Sequence, residues 1–217
     1  MSSLNTCKEI AENLDSFKIG KQSIAPRLAL APMAGITHPA FRELVSSFGG
    51  CGLYFSEMLS AKRVPSERKK NPPILRRGSG TGPLFYQVMG SEPEELGKAV
   101  SLLETPDETG ERKADGIDIN MGCSVFGIRK SGAGSGLMME PDRARRSVAL
   151  CRKKTTLPLT VKIRLGTNED PQFLIRFAKA LQDEGVDAIT LHPRLIKERF
   201  KRGARWSFVG ELKKNLT

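Results

Sequence analysis

The sequence predicts an α/β protein with a parallel sheet, and three observations support this fold class. Short apolar runs alternate with segments that carry helix signals, and no long antiparallel pattern interrupts the alternation. Polar side chains follow one predicted strand after another at its carboxyl end. In parallel α/β proteins this is the end at which binding and catalytic sites are built.

The predicted elements follow one another in a regular order. A polar N-terminal lead-in covers residues 1–26 and is expected to hold a short helix at Lys8–Leu14. Apolar runs predict six strands, at residues 28–31, 53–58, 84–89, 116–119, 159–165 and 188–191. Helices are predicted at residues 40–48, 93–103, 141–154, 171–184 and 207–215. Residues 62–82 are expected to form a polar, basic loop, and residues 105–113 a polar insertion.

Two of the helices have recognisable start signals. Thr37 is the predicted N-cap of the first helix, with Pro39 just inside it. Ser91 is the predicted N-cap of the second helix, and Glu94 and Glu95 suit the positive end of its dipole.

Six such units suit either a doubly wound sheet or a TIM (β/α)8-type barrel. The first strand ends in APMAGI and lacks the G-x-G-x-x-G fingerprint of dinucleotide-binding sheets. The glycine-rich segment 132–136 has the wrong spacing for that fingerprint and is expected to be a tight, close-packed turn. A full barrel needs ~250 residues, so six units form an incomplete barrel, and its open strand edges favour aggregation.

Composition limits the class of protein and its compartment. The 217 residues are 39% hydrophobic and 27% charged, as in ordinary soluble proteins. No apolar run reaches the ~18 residues of a membrane span, and the first residues resemble neither a secretory signal nor a transit peptide. Four cysteines do not make a disulfide framework, so we expect a cytoplasmic protein. The net charge of +11 indicates a polyanionic partner, nucleic acid before membrane, or simply a basic surface.

The residues at the strand ends carry the functional signal. They include amide, thiol, ammonium, imidazole and guanidinium groups, and few carboxylates. This set suits a planar, electron-accepting cofactor with an anionic tail, whereas the two distant histidines do not suggest a zinc site. The residues concerned are Pro32, Met33, Glu57, Gln87, Asn120, Cys123, Lys162, Arg164, His192 and Arg194.

Several segments together resemble one enzyme family. The segments APMAGITHPAFR, QVMGS, DINMGC followed by AGSGLM, TVKIRLG, and H-x-R leading to a Trp are similar to those of the tRNA-dihydrouridine synthases. The match covers roughly residues 28–206 in the right order and spacing. It implies an FMN-dependent TIM barrel that reduces uridine to 5,6-dihydrouridine in tRNA, with NADPH as the reductant.

The resemblance also implies roles for individual residues. Residues 32–34 (Pro32, Met33 and Ala34) would lie under the flavin, with Gln87, Lys162 and His192 around it. Asn120 and Arg194 would contact the substrate. Cys123 matches the proton donor of the family.

These residue types suit the implied chemistry. Hydride from reduced FMN would reach C6 of the uracil ring, and C5 must then be protonated. A cysteine thiol is mostly protonated at neutral pH and can act as that general acid. Lys162 would stabilise an anionic reduced flavin. The target base would flip out of its stack, and surface Lys and Arg side chains would bind tRNA phosphates.

Some of these residues also have ordinary structural interpretations. Cys7, Cys51 and Cys151 are expected to be packing residues. Lys162 is unusual because burial in a strand disfavours its charge. The run KERFKRGAR at residues 197–205 is either a solvated loop or a tRNA contact.

The sequence departs from the family pattern in three places. Ser124 replaces the usual proline after the cysteine, and Phe126-Gly127 replaces a common lysine. Pro193 stands within the H-x-R motif, where it stiffens the loop and removes a backbone donor.

Residues 27–217 are expected to form a partial FMN-binding barrel without the last two strands, whose loops usually bind the cofactor phosphate, and without the helical tRNA-binding domain. Three interpretations of the chain follow: a fragment of a synthase, a short variant completed by a partner or dimer, or a folded but inactive relative. The functional alternatives are another FMN barrel, such as a dihydroorotate dehydrogenase, and a non-catalytic RNA-binding remnant.

Overall fold

The computed structural model describes residues 15–70, 72–106, 114–198 and 202–217. The strands in these ranges are β1 Phe17–Ile19, β2 Gln22–Ile24, β3 Ala29–Leu30, β4 Leu53–Phe55, β5 Leu59–Ser60, β6 Leu84–Met89, β7 Gly116–Met121, β8 Leu159–Arg164 and β9 Ala188–His192. The α-helices are α1 Pro39–Phe48, α2 Val64–Lys70, α3 Pro93–Glu104, α4 Phe126–Lys130, α5 Pro141–Lys154, α6 Pro171–Asp183 and α7 Ser207–Asn215. Two 3-10 helices lie at Pro73–Leu75 and Gly134–Met139.

The main sheet is parallel, and its strand order follows the chain. Strands β3, β4, β6, β7, β8 and β9 pair in this sequence, and β5 adds to β6 after β4 has ended. A doubly wound sheet would reverse its order at a switch point. The continuous order is that of a barrel, and it confirms the prediction of six units of a TIM-type barrel.

The outer face of the sheet packs on helices and forms the larger core. Alternate residues of β7 and β8, such as Ile117, Ile119, Val161 and Ile163, are fully buried in this layer. Helices α3 and α5 pack closely on each other over it. The remaining residues of the same strands face the barrel interior, because successive side chains alternate between the two faces of a strand.

The lower layer of the interior is a second, smaller apolar cluster. It consists of Ile19, Ile24, Leu53, Phe55 and Phe85, with Ala188 against it. In β7 the corresponding position is Gly116, where a Cβ atom would lie 2.4 Å from the Phe85 ring. The aromatic ring therefore occupies the space that a side chain on β7 would need.

The antiparallel hairpin β1–β2 closes the bottom of this layer. It follows the registers Phe17↔Ile24 and Ile19↔Gln22. A Cβ atom at Gly20 would lie 3.0 Å from the Asp187 carboxylate, just before β9. The hairpin lies within the predicted lead-in, and the sequence patterns did not predict its two strands. The predicted helix Lys8–Leu14 lies outside the described residues.

Several predicted boundaries need correction. Helix α2 lies within the predicted loop 62–82, and β4 ends at Phe55, with β5 as a separate short strand. Strand β7 continues to Met121 instead of ending at Ile119, so Asn120 lies inside the strand. Helix α5 has the predicted bounds.

Both predicted helix caps are also wrong. Helix α1 is capped by His38, whose Nδ1 accepts a hydrogen bond from the backbone N–H of Phe41. Thr37 instead bonds to the backbone of Met33. The N-cap of α3 is Glu92, and its side chain makes no capping hydrogen bond. Within the described ranges, no helix is long and apolar enough to cross a membrane.

Candidate active site at the carboxyl ends of the strands

The loop after β3 carries the first group of predicted cofactor residues. The Thr37 hydroxyl is fully buried and bonds Met33 twice, accepting from its N–H and donating to its carbonyl, both at 3.1 Å. The N–H of Gly35 donates to the Glu57 carboxylate at 2.5 Å. These bonds fix the loop. Pro32 and Met33 are half-buried at the mouth of the barrel, and Ala34 is exposed.

Arg42 of α1 ties this loop to the segment before β6. Its guanidinium donates to the carbonyls of Thr37 at 2.5 Å, Arg76 at 2.8 Å and Arg77 at 2.9 Å. The side chain is fully buried, and burial lowers its pKa. Carbonyl acceptors thus replace a carboxylate partner around this cation.

Above the lower layer, the interior becomes polar, and we call these residues the upper layer. Its members are Gln87, Asp118, Asn120, Thr160 and Lys162. Register places Gln87 beside Asp118, Asp118 beside Thr160, and Asn120 beside Lys162. The side chains therefore share one face of three adjacent strands.

Asp118 is the centre of the upper layer. Its two oxygens accept hydrogen bonds at 2.6 Å from the Gln87 amide nitrogen and at 2.6 Å from the Thr160 hydroxyl. Short bonds of this kind are typical of an ionised acceptor. Asp118 is fully buried, and this burial raises the pKa of its carboxyl, while the two hydrogen bonds and the charge of Lys162 oppose the rise.

The amide series continues from Gln87 to the loop after β7. The Gln87 oxygen accepts from the Asn120 amide nitrogen at 2.8 Å. The Asn120 oxygen then accepts from the backbone N–H groups of Gly122 at 3.1 Å and Cys123 at 2.9 Å. Gln87 and Asn120 are therefore in direct contact, and Asn120 holds the start of the Cys123 loop.

The glycine-rich turn packs directly against Cys123. Gly134 has φ +56°, and a Cβ atom there would lie 2.8 Å from the Cys123 carbonyl oxygen. That carbonyl accepts from the N–H of Ser135 at 2.9 Å. The expectation of close packing is confirmed, but residues 134–136 begin the second 3-10 helix instead of completing a turn. Cys123 is half-buried at the mouth, and its backbone is held from both sides.

Two cations of β8 extend this arrangement. Burial lowers the pKa of the Lys162 ammonium, while the charge of Asp118 raises it and that of Arg164 lowers it further. The Arg164 side chain donates from Nε to the Gly122 carbonyl at 2.8 Å and from Nη1 to the Leu195 carbonyl at 3.2 Å. Arg164 thus connects the loop after β7 to the loop after β9.

His192 lies at the end of β9, paired in register with Arg164. Burial and the neighbouring charges of Arg164, Lys162 and Arg194 lower its pKa to about 4. The imidazole is therefore neutral at pH 7, and its Nε2 lies 2.9 Å from a guanidinium nitrogen of Arg194. The N–H of Arg194 also bonds back to the His192 carbonyl at 2.7 Å, which makes Pro193 the centre of a three-residue turn.

A basic cleft lies beside the Cys123 loop. It has a volume of about 370 Å³, and its lining includes Arg129, Lys130, Met139, Glu140 and Arg143. Glu140 pairs with Arg143 at 3.0 Å. The cleft is formed by α4, the second 3-10 helix and α5, so its cations stand at the same face as the strand ends.

The structure thus gathers most predicted site residues at one face. Gln87, Asn120 and Lys162 lie within neighbouring strands near their carboxyl ends, Cys123 follows β7, and His192 ends β9. Pro32, Met33 and Ala34 lie on the separate loop after β3. Sequence reasoning missed Asp118 and Thr160. A carboxylate inside the apolar run GIDIN was a usable signal, because a charged side chain in a buried strand needs a partner.

Comparison with known proteins agrees with this geometry. Residues 29–217 match the family model of the dihydrouridine synthases (Dus). The chain belongs to the dihydrouridine synthase family. It is 32% identical to tRNA-dihydrouridine synthase B of Pasteurella multocida over 201 residues, which cover 93% of this chain and 58% of that protein. It is 30% identical to a probable tRNA-dihydrouridine synthase 1 of Synechocystis over 201 residues, 93% of this chain and 55% of that protein.

The chain therefore spans somewhat more than half the length of these relatives. Among solved structures, morphinone reductase in complex with tetrahydroNAD matches with a TM-score of 0.64 and 8% identity, covering 94% of this chain and 77% of that one. A 2-naphthoyl-CoA reductase matches with a TM-score of 0.63 and 13% identity, over 94% of this chain and 45% of that one. At such low identity, these likenesses concern the fold alone.

The departures from the dihydrouridine synthase pattern lie at the mouth. Ser124 is half-buried and directly follows the cysteine. Phe126 begins helix α4 and is 68% exposed. The substitution of a common lysine by Phe126-Gly127 therefore exchanges a cation for an exposed aromatic ring next to the Cys123 loop.

Proposed function

We propose that this chain forms the flavin-binding and catalytic part of an enzyme that reduces uridine to 5,6-dihydrouridine in tRNA. One observation carries the proposal: the amide series of the upper layer ends on the backbone of Cys123, in a member of the dihydrouridine synthase family. The family match favours a uridine in RNA over a free pyrimidine as the substrate.

The donor set of the mouth fits an FMN ring. Lys162 brings an ammonium group, and Gln87 and Asn120 each have one amide hydrogen beyond the bonds described above. His192 is neutral and adds a ring nitrogen. When bound, reduced FMN supplies the hydride that is added to C6 of uracil. Lys162, Gln87 and His192 would hold the ring, with Pro32, Met33 and Ala34 beneath it.

Cys123 would complete the reduction by donating its thiol proton to C5 of the uracil ring. Hydride at C6 and a proton at C5 together saturate the C5–C6 bond, and solvent returns the proton to the thiolate. Asn120 and Arg194 would hold the substrate. The hydrogen bonds to Asn120 and Ser135 stabilise the backbone of Cys123 and so limit the positions that its thiol can adopt.

Surface charge supports an RNA partner. The chain has a net charge of +11, and the basic cleft formed by the segments that follow Cys123 adds a cluster of cations. Such groups bind phosphates with a strong dependence on salt concentration. NADPH as the reductant follows from the family resemblance. Among the described strands β9 pairs only with β8, so a second copy or another chain can pair along its other edge.

The purified full chain provides the first test. We expect it to retain FMN, or to bind added FMN, with a flavin absorbance spectrum. With NADPH it should then form dihydrouridine in tRNA taken from cells that lack this modification. A colourless protein that cannot be reconstituted with FMN would refute the proposal, and turnover of free dihydroorotate without activity on tRNA would favour the alternative enzyme. Light scattering with and without a candidate partner tests the role of the β9 edge.

Cys123→Ala tests the proton donor. We expect FMN binding to remain and dihydrouridine formation to fall by about 10²–10⁴-fold, because general acid catalysis contributes that much. Cys51→Ala is the matched control, since Cys51 lies away from the mouth and donates to the Leu53 carbonyl. Unchanged tRNA reduction by Cys123→Ala would remove Cys123 from this role.

A further inference from the structure

The buried carboxylate of Asp118 calls for an explanation beyond its hydrogen bonds. Its two oxygens accept from Gln87 and Thr160. An asparagine of nearly the same shape could serve both neighbours, since its oxygen can accept from Gln87 and its NH₂ group can donate to the Thr160 hydroxyl. It would do so without the cost of burying a charge. A carboxyl group at this position, in place of an amide, therefore needs a function.

Lys162 is the cation that this charge serves. Asp118 lies beside Thr160 in register, and Lys162 is two residues further along β8, on the same interior face. Diagonal neighbours of this kind are within reach of a long side chain. The charges of Asp118 and Lys162 stabilise each other, whereas Arg164 on the same strand opposes the charge of Lys162.

The remaining groups around Lys162 give it little negative charge. His192 on β9 is neutral at pH 7, and Arg194 in the following loop is a cation. Asn120, the register partner of Lys162 on β7, is an uncharged amide. Within the described upper layer, Asp118 is thus the only carboxylate.

We propose that Asp118 is a positioning residue for Lys162, whose carboxylate keeps the Lys162 ammonium charged and directed into the mouth of the barrel. The hydrogen bonds from Gln87 and Thr160 hold this carboxylate in place. The consequence for flavin binding rests on the proposed function. The charge state of Lys162 does not, and it can be measured in protein without cofactor.

Asp118→Asn separates the charge from the hydrogen bonds. The variant retains an acceptor for Gln87, so the amide series to Cys123 persists, but the negative charge is lost. In the cofactor-free chain, we expect an amine-specific reagent to modify Lys162 on the order of tenfold faster at pH 7.5, as a change of one pKa unit produces. Peptide mass spectrometry gives the rate for Lys162, and the rate for Lys213 on α7 serves as an internal reference.

Two further variants distinguish charge from packing. Thr160→Val removes a hydrogen bond to Asp118 but leaves its charge, so Lys162 should react at close to the unsubstituted rate. Gln87→Glu combined with Asp118→Asn moves the carboxylate from β7 to the neighbouring strand β6, where it can accept hydrogen bonds from the amides of residues 118 and 120. This double variant should slow the modification of Lys162 again. A rate in Asp118→Asn within twofold of the unsubstituted chain would overturn the proposal.

A measurement on the unsubstituted chain covers the case in which Asp118→Asn does not fold. Nuclear magnetic resonance of the Lys162 side chain should show a charged ammonium group at pH 7.5, and a neutral amine would overturn the proposal. With FMN added, Asp118→Asn should bind the cofactor more weakly than Thr160→Val does. Failure of tRNA reduction in the unsubstituted chain would refute the proposed function and leave these measurements unaffected.

Discussion

The lower and upper layers of the barrel interior lie only two residues apart along the same strands, yet they differ completely in chemistry. On β6 the change occurs between Phe85 and Gln87, and on β7 between Gly116 and Asp118. Both layers are buried except for the half-buried Lys162. The lower layer contains rings and aliphatic groups, whereas the upper layer contains a hydrogen-bonded carboxyl group. Stability and chemistry are therefore separated along the strand axis, as expected of barrels with sites at the carboxyl ends.

The largest expected effect comes from breaking the lower layer. Phe85→Ala removes a fully buried ring between the hairpin and β7, and should lower the free energy of unfolding by about 3–5 kcal/mol. Urea unfolding followed by circular dichroism measures this change. Phe17→Ala is the matched control, because Phe17 is an exposed phenylalanine of the same hairpin and should cost within about 0.5 kcal/mol. Equal losses in both variants would contradict the assignment of stability to the lower layer.

An intermediate effect is expected from the upper layer. Asn120→Ala deprives the N–H groups of Gly122 and Cys123 of their acceptor and should cost about 1–3 kcal/mol. Amide hydrogen exchange at these two positions should accelerate, while exchange in the lower part of β6 stays slow. Ser124→Ala is the control, since it leaves the Asn120 side chain in place. Unchanged exchange at Gly122 and Cys123 would show that Asn120 does not hold the loop.

The third expected effect is a pH dependence to which His192 at the mouth contributes. His192 has a pKa of about 4 in the folded chain against an ordinary value of 6.5, so the unfolded chain binds more protons between these values. Stability should therefore fall as the pH drops from about 6.5 to about 4. His192→Gln should flatten this part of the stability curve, whereas Phe85→Ala should lower the whole curve and keep its slope. A slope that persists in His192→Gln would contradict the depressed pKa.

Periodicity and strand-end chemistry predicted much of this molecule. The six parallel strands and helix α5 follow from apolar runs and helix signals, because long elements repeat their pattern often enough to be recognised. The position of Cys123 after β7 follows in the same way. The hairpin β1–β2 could not be predicted, because each strand has three residues and contributes a single buried isoleucine.

The remaining errors concern interactions that only the folded chain creates. Threonine is a residue type that favours the N-cap position, but the Thr37 hydroxyl bonds the Met33 backbone, and His38 caps α1 instead. The contact between Gln87 and Asn120 depends on the register between two strands that are distant in sequence. A pattern within one strand carries no information about that register, so the amide series could not be predicted.

Arg42 has a consequence for how the mouth opens. Its guanidinium bonds carbonyls on both the loop after β3 and the segment before β6. Neither stretch can detach without breaking its hydrogen bonds to Arg42, which also anchors the other stretch. The two should therefore unfold locally as one cooperative unit with a shared opening free energy, even though more than thirty residues separate them along the chain. The loop that carries Met33 is therefore only as rigid as the Arg42 hydrogen bond that connects it to α1.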